Sequence, residues 1–149
     1  MNPFDIKTVL LAKHAQHVVL IHFPIALFIM GVAFDFVAQW TGKKSLATAA
    51  YYNLLAAAVA TLPTLATGLL AWRIALEGEH LKGILLMHLV FAWISSILLW
   101  LVGWLHYRAG QKPELALPSY RLLLEAVGVL LITVTGHLGG FLSGVNGPG

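Results

Sequence analysis

Four apolar runs dominate the chain, at Val18–Gln39, Tyr52–Trp72, Ile84–Leu105 and Leu122–Leu142. Each is close to the ~20 residues that an α-helix needs to cross the hydrocarbon core of a bilayer. The segments between them are short and rich in turn formers: Trp40–Tyr51 holds Thr41-Gly42-Lys43-Lys44-Ser45, Arg73–Gly83 holds Glu77-Gly78-Glu79-His80, and His106–Arg121 holds Gly110-Gln111-Lys112-Pro113-Glu114. Short connections make consecutive helices antiparallel neighbours. The pattern predicts an all-α fold: one transmembrane four-helix bundle over residues 1–149, with a flexible Gly- and Pro-rich tail at 143–149. The first run lacks an A-x-A cleavage site and three more spans follow it, so it reads as a span and not as a removable signal.

Composition excludes the soluble alternative. Of 149 residues, 59% are hydrophobic and 10% charged, and mean hydropathy is +0.84, against about half and a quarter in soluble domains. So short a chain has no core large enough for that apolar surface, so the excess faces lipid. The net charge of +3 is scattered, and no basic patch points to nucleic acid. With no cysteine there is no disulfide, thiolate chemistry, cysteine-held iron–sulfur cluster or covalently attached haem.

The side of the membrane that carries both termini, side A, holds Lys7, Lys13, Arg73 and Lys82. Side B holds Lys43, Lys44, Arg108, Lys112 and Arg121. The small basic excess tilts side B toward the cytoplasm and the termini outward. Side B also carries the aromatic belt of an interface, in Trp40, Tyr51, Tyr52, Trp104, Tyr107 and Tyr120.

Seven histidines stand out against so few other charged residues. His22, His88 and His137, on three different spans, lie at one depth, roughly 6–8 Å inside side A at 1.5 Å per residue. His14, His17 and His80 flank the same side; His106 alone is on side B. Polar side chains within a span usually face the bundle interior. In the third span Trp93, Trp100 and Trp104 form a stripe read as lipid-facing, opposite His88, Phe91, Ser95 and Val102.

The hairpins also resemble each other. Leu20-Ile21-His22 matches Leu86-Met87-His88, and Thr67-Gly68 matches Thr135-Gly136; from His to Gly is 46 residues in one half and 48 in the other. A duplicated hairpin makes His22 and His88 equivalent positions facing one axis.

Paired imidazoles on facing helices suit the two axial sites of a single b-type haem in an apolar bundle. His22 and His88 are the first choice for the iron. His137 is an alternative ligand or a donor to a propionate or quinone, and His14, His17, His80, Lys13 or Lys82 would meet the propionates. Gly68, with Thr64 and Thr67, and Gly136, with Gly139 and Gly140, leave room for a flat macrocycle, although small residues also serve close helix packing. A second haem is not expected, because His106 is about 27 Å along the helix from His88. The competing readings are histidines bonded to backbone carbonyls or headgroups, and a non-haem metal site.

Asp35 and Glu125 lie about one turn inside side B. Arg121 precedes Glu125 by four residues, a spacing suited to an ion pair, whereas Asp35 has no partner nearby in sequence. Each carboxylate reads either as a snorkelling or capping group or as a way in for protons. Pro24 and Pro63 are expected to bend their helices.

From His14 to Leu27, H-A-Q-H-V-V-L-I-H-F-P-I-A-L, the chain resembles the bacterial membrane family called domain of unknown function 2231. Further matches are Thr67-Gly68, His88 and Thr135-Gly136-x-x-Gly139-Gly140, so the likeness covers nearly the whole chain, His22-Phe23-Pro24-Ile25-Ala26 being its most specific piece. The resemblance implies a four-span protein of the bacterial inner membrane with no established reaction. Relatives joined to Rieske or cytochrome c domains imply a redox setting, with side A outside the cytoplasm. After Gly140 the sequence departs from the longer polar-aromatic ending of that pattern, and it carries no redox domain, so a separate redox partner is required.

Three functional readings follow. The first is a b-type haem protein passing electrons between an extracytoplasmic redox protein and quinone. The second is a non-catalytic anchor subunit of a homo- or hetero-oligomer, and the third a histidine-based metal-binding or transport protein. No nucleophile–base constellation argues for an enzyme.

Overall fold

The computed structural model describes residues 15–75, 78, 80–112 and 116–144. The first span begins with a short helix, α1 (Ala15–Leu20), and continues after a break at Ile21 as α2 (His22–Thr41). It is followed by α3 (Lys44–Ala75), α4 (Gly83–Gln111) and α5 (Arg121–Leu142). Four helices, counted as Gln16–Thr41, Lys44–Ile74, Gly83–Gln111 and Arg121–Leu142, are long and apolar enough to cross a membrane, and each contains one of the apolar runs. Of the expected tail, Ser143 and Gly144 form a turn and the rest lies outside the described residues.

The helices pack in a ring, α2 on α3, α3 on α4, α4 on α5 and α5 on α2, with α1 against α3. α2 and α4 therefore stand diagonally across the bundle. The sharp turn between α2 and α3 is made at Gly42, which takes φ +65° and donates its N–H to the Ala38 carbonyl at 2.8 Å. That left-handed cap is a conformation glycine adopts at little cost.

The break at Ile21 has a covalent cause. Pro24 has no N–H for the Leu20 carbonyl one turn earlier. The Thr64 hydroxyl of α3 lies 3.3 Å from that carbonyl, although its shorter contact is with Ala60 O at 2.8 Å. Pro63, by contrast, sits inside α3 without interrupting it.

The buried core comprises Phe28, Val32, Leu54, Ala57, Leu99, Val102 and Ile132. Glycines bring the backbones together around it. A Cβ on Gly31 would come within 2.8 Å of Leu54, on Gly103 within 2.9 Å of Ala58, and on Gly128 within 2.7 Å of the Phe28 ring. Small residues at such contacts are the usual means of close packing between membrane helices.

The buried positions recur at a constant step. Phe28, Val32, Asp35, Leu54, Ala57 and Thr61 are buried, and so are Leu99, Gly103, His106, Glu125, Gly128 and Ile132, each 71 residues further on. This packing register differs from the one suggested by the His-containing tripeptides: it sets His88 against His17, not His22. Burial follows helical phase, so residues as unlike as Leu54 and Glu125 are buried at corresponding steps of this pattern.

Most of the side B belt is exposed, with Trp40, Tyr52, Trp104, Tyr107 and Tyr120 all facing outward. The tryptophan stripe needs one correction. Trp93 and Trp104 are exposed, but Trp100 turns its indole N–H to α3, donating to Thr61 Oγ1 at 2.7 Å and lying 3.1 Å from Ala58 O. An indole donor at a helix–helix contact takes a partner in preference to facing lipid.

Candidate functional site

The two ends of the bundle present different chemistry. Toward side A, residues 16–23, 62–74, 83–94 and 133–142 include no buried side chain. Two imidazoles are nevertheless held there in matching ways. His17 Nδ1 lies 3.1 Å from the Thr64 carbonyl and 3.4 Å from Thr67 Oγ1. His88 Nδ1 lies 3.0 Å from the Thr135 carbonyl. A carbonyl only accepts, so Nδ1 carries the proton in each ring, and in the neutral tautomer Nε2 is the nitrogen with the lone pair. Each ring also lies over a glycine: a Cβ on Gly68 would meet His17 Cε1 at 2.9 Å, and one on Gly139 would meet His88 Cε1 at 3.1 Å. His–Thr separation is 47 residues in both hairpins.

The other histidines of this side are placed differently. His22 is exposed at the start of α2 and does not share the clamp. His137 is exposed and packs edge-on against Phe141, with ring centroids 4.9 Å apart. His80 is exposed in the connection before α4, and His14 and Lys13 lie outside the described residues. Gly136 is open, its nearest neighbour to an added Cβ being Ile25 Cδ1 at 3.7 Å. Among the predicted residues, the fold thus holds His17 and His88 in like ways, each within its own hairpin, and leaves His22 exposed.

Toward side B, α2, α4 and α5 converge on buried charge. Arg121 Nε donates to Asp35 Oδ2 at 2.8 Å, and its Nη2 donates to Gln39 Oε1 at 2.9 Å. His106 Nε2 lies 2.9 Å from Glu125 Oε1. Asp35, His106, Arg121 and Glu125 are all buried, Glu125 completely. Glu125 Oε2 has no hydrogen-bond partner among the described residues. Beside the Asp35–Arg121 pair, an open cleft of about 420 Å³ is lined by Gln39, Lys43, Lys44, Ala47 and Ser119 among others.

These contacts overturn the local pairing expected of Arg121 and Glu125. Both residues face inward from one side of α5, but the guanidinium reaches Asp35, 86 residues away in sequence, and Glu125 meets His106. The buried carboxylates are not snorkelling groups. Spacing along the chain identified the charges but not the partners, because each partner comes from another helix. A signal was present nonetheless: Asp35, His106, Arg121 and Glu125 are all ionisable residues near side B of their spans, where an unpaired charge is costly.

Four apolar helices closed around a paired charge network define a multi-pass integral membrane protein in contact with the lipid bilayer. The chain matches the family model described as predicted membrane protein (DUF2231) over residues 13–147, and it belongs to that family. No curated protein and no solved structure matches it.

Proposed function

We propose that this membrane protein binds one b-type haem near side A and passes electrons between a redox protein outside the cytoplasm and the quinone pool. The haem would supply a one-electron couple within an apolar helical frame. The observation that carries the reading is the matched pair His17 and His88. They stand on the first and third spans, each with Nδ1–H on a backbone carbonyl of the following span. Histidines that ligate metals usually donate their other ring N–H in this way, which holds the tautomer and the ring orientation. The glycines under both rings let each imidazole lie close against the neighbouring helix, and no side chain is buried at this end. His88 is kept from the sequence-based pair, and His17 replaces His22 because His22 is exposed. His14, His80, Lys13 and Lys82 remain the propionate candidates, with His137 a donor to propionate or quinone. In this reading the hairpins are duplicates, the membrane is the bacterial inner membrane, and side A faces outward.

A dithionite-reduced minus air-oxidised spectrum of the detergent-purified protein, expressed with ample haem, tests this. A sharp reduced α-band is expected, abolished by His17→Ala and by His88→Ala and kept by His22→Ala. A featureless spectrum from folded protein rejects the haem.

A second reading has its own support. The carbonyl contacts of His17 tie α1 to α3 and those of His88 tie α4 to α5, which is sufficient for a structural role in a non-catalytic anchor subunit. That reading predicts a colourless protein that purifies with a partner.

A further inference from the structure

The opposite end of the bundle carries a charge imbalance that the histidine pair of side A does not address. Two carboxylates, Asp35 and Glu125, face one guanidinium, Arg121. Asp35, His106 and Glu125 each offer a donor atom within 4.8 Å of the others. Arg121 is committed to Asp35 and Gln39. Buried α3 positions contribute no charge, only Ala50, Leu54, Ala57 and Thr61. Lys43 and Lys44 stand at the cleft, outside the buried set. With both carboxylates ionised and His106 neutral, the buried cluster would hold one uncompensated negative charge. Neighbouring carboxylates in a poorly solvated site do not both ionise without compensation.

One added positive charge balances the cluster, and the geometry favours a proton over a metal ion. The 2.9 Å from His106 Nε2 to Glu125 Oε1 is a hydrogen-bond length, bridged by one proton whether the imidazole Nε2–H or the carboxyl O–H supplies it. Two ligands of a tetrahedral zinc stand farther apart, at about 3.3 Å. The Asp35 carboxylate is already held through Oδ2 by Arg121. The unpartnered, fully buried Oε2 of Glu125 marks the place where charge is still uncompensated.

We infer that the His106–Glu125 pair is a membrane-embedded proton-binding site, loaded and emptied from side B. Asp35 lines the cleft and also lies against the pair, so it is the carboxylate between water and Glu125. A proton delivered by hydronium at the cleft, leaving water behind, passes from Asp35 to the pair, and release reverses the path. No other reactant is consumed. The site stands independently of the haem reading, since its residues occupy the other end of the bundle.

Infrared difference spectroscopy during a pH titration, on full-length protein in phosphatidylcholine nanodiscs without added haem, provides the test. A protonated-carboxyl C=O band is expected, lost reversibly as pH rises, shifted in deuterium oxide and missing in Glu125→Gln. His106→Gln, which keeps a polar group beside the carboxyl, is expected to shift the band, so the inference remains testable if Glu125→Gln fails to fold. Ala47→Trp, at the cleft wall, is expected to slow the deuterium shift. Absence of the band at every pH, or its persistence in folded Glu125→Gln, overturns the site. An unchanged band in His106→Gln overturns the pairing, and an unchanged deuteration rate in Ala47→Trp overturns the route. Metal analysis that finds a divalent ion at one per chain, lost in Glu125→Gln, overturns the proton in favour of a metal.

Discussion

The two ends of this bundle solve the problem of polar groups in a membrane in different ways. Toward side B the polar atoms are ionisable, buried and paired across helices: Arg121 with Asp35 and Gln39, His106 with Glu125. Toward side A they are imidazoles clamped to carbonyls, with no buried side chain around them. Packing and charge coincide at one end, whereas half-buried rings seated over glycines mark the other. Buried side chains are therefore concentrated toward the middle and side B of the bundle. A packed interior transmits any change of volume or charge, and a loosely filled one absorbs it.

Substitutions can break this contrast, and the largest effect is expected at the ion pair. Arg121→Met leaves Asp35 buried without its cation and should cost about 3–5 kcal/mol, the usual penalty for removing one partner of a buried pair. Asp35→Leu added to Arg121→Met should restore most of the loss. Thermal unfolding in detergent measures both; a single variant as stable as the parent would show that the pair is not desolvated. The glycines give the next comparison. Gly128→Ala drives a Cβ to 2.7 Å from the Phe28 ring and should cost about 1–3 kcal/mol by overpacking. Gly136→Ala meets nothing closer than 3.7 Å and should leave the melting temperature nearly unchanged. Equal effects would remove the distinction between the tightly covered Gly128 and the loosely covered Gly136.

Smaller effects sharpen the picture. Trp100→Phe deletes the indole donor to Thr61 and should cost about 1 kcal/mol, while Trp93→Phe, on the exposed side of the same helix, should be silent in the same melt. Thr64→Val removes the hydroxyl beside the Leu20 carbonyl left unsatisfied by Pro24. Its effect should be about 0.6 kcal/mol, the average found for polar contacts between membrane helices. Proteolysis within 15–22 in that variant should increase if the hydroxyl holds the broken start of the first span in place.

Much of the fold was legible because hydropathy acts over whole segments. Twenty apolar residues in a row allow few alternatives in water or lipid, so the helices Gln16–Thr41 and Arg121–Leu142 contain the runs read at Val18–Gln39 and Leu122–Leu142. The candidate sites were legible only as inventories. The histidines near side A and the acids near side B were visible as residues at a depth. That His17 is clamped to a carbonyl while His22 is exposed was not, because it depends on the rotation of the first helix around the break at Ile21. Trp100 failed for a related reason: a stripe drawn at a constant angle ignores how far an indole reaches sideways to a neighbouring hydroxyl.

What the sequence alone determined was the number of spans, their antiparallel order and the side of the membrane each polar group occupies, because these follow from chain length and the cost of exposing charge to hydrocarbon. The tertiary structure decided partnership. Arg121 had a carboxylate four residues away and took another 86 residues away, and burial recurs at a 71-residue step in unlike side chains. Helices in lipid are chosen as neighbours by the fit of their surfaces and by the pairing of the few charges they carry. Neither property belongs to a single segment, so both appear only when the four helices are brought together.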